Sequence, residues 1–234
     1  MVWPKLTVSD YPEMLRKLSA AAFSVTLGCV FFVRYRIAAI DQSLDALEKV
    51  APQIEALHIH IPFGTFIIAA VSAVLSESIK LHDKISDALG IRAEFDARWI
   101  LIPMVLLSGS TMERNRFDRI ASDRKRLMND VFYKYASSGR KAVIDKHLIT
   151  QALTAWSWYW VCVESFVLLI PTAAVFMFFR DWGTASLALA LMLALLVIMK
   201  VNRAEASKYA EAEVSAILAD DCRRQAVKSV FDAL

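Results

Sequence analysis

Cysteine is scarce. Cys29, Cys162 and Cys222 lie far apart, two of them inside apolar runs, so no disulfide framework is expected to hold the fold. Glycine and proline number six each in 234 residues, and no stretch alternates polar and apolar side chains over several strand lengths. Helices are what remains. Histidine occurs four times, too rarely for a metal-dependent hydrolase; His82-Asp83 is a lone dyad with a structural reading. His58 and His60 stand two apart and point opposite ways on a helix, so they do not share a metal. No Walker loop, GxSxG elbow or HExxH helix occurs, and neither catalysis nor a cofactor is expected.

Apolar sequence is abundant: 57% of residues are hydrophobic and 22% charged, with mean hydropathy +0.43. Ser165 to Phe179 carries no charge, Arg180 and Asp181 interrupt, and Trp182 to Met199 is again uncharged. Eighteen helical residues span about 27 Å, close to the roughly 30 Å of bilayer hydrocarbon. This pattern predicts a membrane hairpin. Arg16 and Lys17 precede another apolar run, Leu18 to Val33, which ends in Arg34, Tyr35 and Arg36 without a small-residue cleavage pattern. We read it as a retained span rather than a secretion signal.

The expected fold is all-α: a polytopic membrane protein with four transmembrane helices and a cytoplasmic helical bundle. Residues 1–76 form an N-terminal hairpin, with spans at about 15–35 and 59–76 and an extracytoplasmic helical connection. Residues 77–147 form a basic cytoplasmic region, 148–199 a C-terminal hairpin and 200–234 a cytoplasmic tail. Trp156, Trp158, Tyr159 and Trp160 open the third span and Trp182 marks the opposite face, as amphipathic rings do at interfaces. Trp99 to Met112, interrupted by Pro103, suits a packed, re-entrant or interfacial helix better than a fifth crossing.

Charge sets the orientation. Glu113 to His147 holds ten Lys or Arg and five Asp or Glu, a net charge of +5, and the positive-inside tendency places it in the cytoplasm with both termini, in a cell inner membrane. The connection after the first span has its own seam of Ile40, Leu44, Leu47, Ala51 and Ile54, interrupted by Pro52. Phe117, Ile120, Leu127, Met128, Val131 and Tyr135 form an apolar stripe, and Ala212, Ile217, Leu218, Val227 and Val230 form one in the tail. Two stripes of small residues, Ala20-Ser24-Gly28 and Ser186-Ala190-Ala194, read as helix contacts, within one copy or between copies of a homo-oligomer.

Glu164 stands out in the third span, about 22 Å from its outer edge and 8 Å from its inner one. A carboxylate at that depth needs water, a proton or a partner. It reads either as a cation-attracting gate or as a side chain bonded to Trp160, Lys146 or a neighbouring subunit. Pro171, two turns on, is a candidate hinge. The basic run Arg114, Arg116, Arg119, Arg124, Lys125 and Arg126 reads as a topology signal, a headgroup surface, or a site for a nucleotide or oligonucleotide. In the last reading Phe132, Tyr133 and Tyr135 supply stacking faces.

The four spans, the charged helical region and the stretch from Leu81-His82-Asp83-Lys84 to Ala93-Glu94-Phe95-Asp96 resemble the small multi-pass membrane effectors of bacterial anti-phage systems. The resemblance implies a partner nucleotidyltransferase that makes a nucleotide or oligonucleotide signal, and a membrane protein that damages or depolarises the bilayer in response. It carries over no ligand-binding residue. The expected function is therefore an oligomeric pore or channel gated from the cytoplasm by an anionic ligand; a non-conducting membrane scaffold anchoring a soluble partner is the alternative.

Overall fold

The computed structural model describes residues 7–48, 62–111, 119–136 and 143–234. Every regular element among them is helical. In chain order these are α1 (Tyr11–Arg36), α2 (Ala38–Glu48), α3 (Phe63–Ser78), α4 (Leu81–Leu89), α5 (Ile91–Phe95), α6 (Ile102–Ser108), α7 (Arg124–Leu127), α8 (Lys134–Ala136), α9 (Lys146–Phe178), α10 (Trp182–Leu218) and α11 (Asp221–Asp232). Two six-residue π-helical segments, Asp96–Leu101 and Met128–Tyr133, join α5 to α6 and α7 to α8.

Three of these helices, α1, α9 and α10, are long and apolar enough to cross a membrane. At 26, 33 and 37 residues they measure about 39, 50 and 55 Å. The expected second span is shorter. Helix α3 has 16 residues, about 24 Å, and meets α4 at a 60° bend. Lys80 marks the break with φ +47°, a backbone region costly for any side chain but glycine.

The chain divides into two units. The membrane unit comprises Pro12–His82 and Ser157–Val201; the companion unit comprises Met1–Tyr11, Asp83–Trp156 and Asn202–Leu234. Residues 76 and 199 lie within α3 and α10. Backbone hydrogen bonds propagate through the change from apolar to charged sequence, and Ala204, Glu205, Ala206 and Lys208 are residues that sustain a helix. The uncharged stretch of α10 is Trp182 to Met199, and the helix enters the companion unit at Asn202.

In the membrane unit, Met14, Leu18, Ala22 and Thr26 recur four apart and form the buried stripe of α1. Ala20, Ser24 and Gly28 face outward instead, as do Ser186, Ala190 and Ala194 on α10, so neither small-residue stripe is buried within this copy. The companion unit has its own core, in which Leu101, Met104, Leu127, Val131, Val214 and Phe231 are almost fully buried. Within it, Ile100, Leu101, Met104 and Val105 settle the described part of the 99–112 segment as a packed helix, with Pro103 in the first turn of α6. Ala212 is exposed and Val214 takes its expected place in the core. Trp160 is buried at 2% exposure and Tyr159 at 6%, while Trp182 remains 63% exposed. Of the rings expected at the interfaces, Trp182 is exposed, whereas Trp160 packs edge-on against His82 and Tyr159.

Candidate functional site

Glu164 sits on α9 and is 2% exposed. Its Oε2 accepts a hydrogen bond from the Ser76 hydroxyl of α3 at 2.9 Å, and its Oε1 has no hydrogen-bond partner. His82, 3% exposed, places Nδ1 4.0 Å from that Oε1. The Ser76 hydroxyl and the His82 ring are therefore neighbours of this carboxylate within its own chain. Sequence reading missed both real contacts, because Ser76 lies 88 positions away and no spacing rule links such residues.

Other polar groups extend from this carboxylate through the membrane unit. Thr26 of α1 donates to Ser72 of α3 at 2.9 Å, and Ser19 donates to the Ala73 carbonyl at 3.2 Å. One turn past Thr26, Cys29 lies against Thr172 of α9. Beyond it, Val33, Ile37, Phe176 and Ala185 form an apolar cluster, with Phe176 fully buried. Past that cluster Arg34, 7% exposed, is held by Asp41 at 2.8 Å, Asp45 at 2.5 Å and Thr65 at 3.2 Å. Arg36 bonds both oxygens of Asp181 in the α9–α10 turn, at 3.0 and 3.2 Å. The Arg36 guanidinium, with Thr184, holds the Asp181 carboxyl down to about 2. The unit thus carries a polar seam with a titratable pair at one end, an arginine latch at the other, and a plug of four apolar side chains before the latch.

Pro171 does not interrupt α9 and is exposed. The helix continues through it without the backbone hydrogen bond that its missing N–H would have donated.

In the companion unit the basic run divides by use. Arg114 and Arg116 lie outside the described residues. Arg119 donates to the Leu234 carbonyl. Arg124 forms an ion pair with Asp96, which is 4% exposed at the start of the first π segment, and burial pushes the Asp96 carboxyl up against the opposing pull of Arg92 and Arg124. Arg92 also donates to the Tyr133 hydroxyl at 3.2 Å, at the end of the second π segment. Arg126 pairs with Asp123 at 2.6 Å, and Lys125 is exposed. Phe132 and Tyr135 are 5% and 7% exposed and belong to the core, so their rings offer no open face for stacking. Asp96 and Arg92 were not among the expected site residues; a carboxylate at the edge of an apolar run, four positions after an arginine, was the signal available.

Residues 10–232 match the model of the YmfE protein family. No curated protein and no solved structure matches the chain.

Proposed function

The chain belongs to the YmfE family, and we propose that it is an integral membrane protein that passes a small cation across the bilayer through the seam of its membrane unit, under control of the companion unit. The observation that carries this reading is the Glu164 carboxylate, buried in an apolar span with one oxygen unbonded. Such a group costs several kcal/mol in hydrocarbon and marks ion or proton pathways where it occurs. Because Glu164 is enclosed by α3, α4 and α9 of its own chain, the path runs within a subunit rather than through a ring of copies. The apolar cluster around Phe176 acts as its gate, since an apolar constriction stops conduction by dewetting. In this reading α3, with the bent α4, completes a fourth crossing, and the basic region is cytoplasmic.

The full chain in lipid vesicles tests the reading. Dissipation of an imposed cation gradient is expected, and Glu164→Gln should slow it at least about tenfold, the effect of roughly 1.4 kcal/mol on the barrier. Vesicles that hold every gradient would leave the anchoring scaffold as the function. The scaffold reading has its own support in the companion unit, whose core is complete enough to present a rigid face to a partner.

Control by an anionic ligand, as in a nucleotide-signalled defence effector, is the regulatory part of the proposal. Its remaining candidates are Lys125 and Arg126, which are exposed, rather than Arg124, which is committed to Asp96. Lys125→Glu with Arg126→Glu should abolish binding of a short oligonucleotide while leaving the melting curve of the protein unchanged. Retained, salt-sensitive binding would place the ligand elsewhere.

A further inference from the structure

Resting on the conduction reading, we infer that the ion held at Glu164 is the proton, shared between the Glu164 carboxylate and the His82 imidazole. The geometry around Oε1 discriminates between cations. A sodium or potassium ion that enters a protein must replace its water shell with several oxygen ligands. Here Oε1 faces an imidazole nitrogen at 4.0 Å, a group that can hold or give up a proton but offers no oxygen ligand. The Ser76 hydroxyl spends its proton on the other oxygen. A proton needs a single lone pair, and Oε1 offers one without a partner.

The transfer is balanced within the pair. The Nδ1–H bond of a protonated His82 breaks, an O–H bond forms on Oε1, and a buried ion pair becomes a buried neutral pair. The gap closes by about 1 Å of side-chain rotation to reach hydrogen-bond distance. The surrounding elements bring few competing charges. Residues 157–168 hold no other charged group. Helix α1 brings Glu13 and Lys17, paired with each other at 2.8 Å. Helix α3 adds the exposed Glu77 and α10 the exposed Lys200. Asp83, next to His82, is paired with Arg92 at 3.8 Å.

Infrared difference spectra of the full chain in lipid vesicles, recorded between alkaline and acid buffer, test the assignment. The carbonyl stretch of a protonated carboxylic acid should appear on acidification, vanish in Glu164→Gln, and persist at a changed frequency in Glu164→Asp, which keeps the acid where the glutamine variant does not fold. His82→Gln should shift the band and lose proton flux, and added sodium or potassium should leave the band unmoved. A band that Glu164→Gln leaves intact, or one that sodium displaces, would overturn the proton site. Vesicles that pass no ion while the Glu164 band still titrates would overturn conduction and keep the proton site. Sodium flux without a titrating band would do the reverse.

Discussion

Arg124→Met is expected to destabilise the companion unit by about 3 kcal/mol or more at neutral pH, because it strands a buried carboxylate. Asp96 is 4% exposed, and its ion-pair partner Arg124 keeps only 13% of its side chain in solvent. Methionine fills much of the same volume but offers no charge, leaving Arg92 as the nearby cation. The pH dependence follows from sign. Burial has already raised the Asp96 carboxyl above its ordinary value, and losing Arg124 raises it further. A raised acid favours folding below its unfolded value and disfavours it as pH climbs through the folded one. The deficit of the variant should therefore shrink on acidification. Circular-dichroism melts at several pH values measure it, and adding Asp96→Leu should restore part of the loss, since removing both charges leaves nothing unpaired. A variant that melts like the parent at neutral pH would show that the pair is dispensable.

Glu213→Gln is expected to work in the opposite direction. Glu213 lies on the charged half of α10, beyond the crossing stretch, at 7% exposure. Burial alone pushes its carboxyl from 4.5 up to about 7. The folded value is raised, so the stability it contributes is fully present below about pH 4.5 and is lost as pH rises through about 7. The difference between the two values amounts to about 3 kcal/mol. The parent should melt at a lower temperature at pH 8 than at pH 5. Glutamine, neutral throughout, should remove most of that dependence and stabilise the chain at pH 8. Parallel pH profiles for the two proteins would mean that Glu213 is solvated in the folded state.

Both variants act on residues whose importance depends on burial, and burial marks the limit of reading this chain linearly. Glu164 was conspicuous because a carboxylate among valines and phenylalanines violates the apolar pattern. Its partners were not, since Ser76 and His82 look ordinary in their own segments. The basic run was equally conspicuous, but a count of charges does not distinguish Arg124, consumed by Asp96, from Lys125, left in solvent. The aromatic residues after it misled for a related reason. Phe132 and Tyr135 follow a basic stretch as stacking residues do, yet they also lie on the apolar face that closes a core.

The apolar runs by themselves predicted a helical membrane protein, because length and hydropathy are local sums over neighbouring residues, but they predicted four spans where three of the described helices are long and apolar enough to cross. They also determined where a buried charge would occur. Tertiary structure alone decided that α9 and α10 run unbroken past their apolar stretches, that the described part of the 99–112 segment packs in a core, and that Glu164 lies beside Ser76 and His82. Those outcomes depend on which helix faces which, and pairing energies between residues tens of positions apart leave no period in the chain for a linear reading to find.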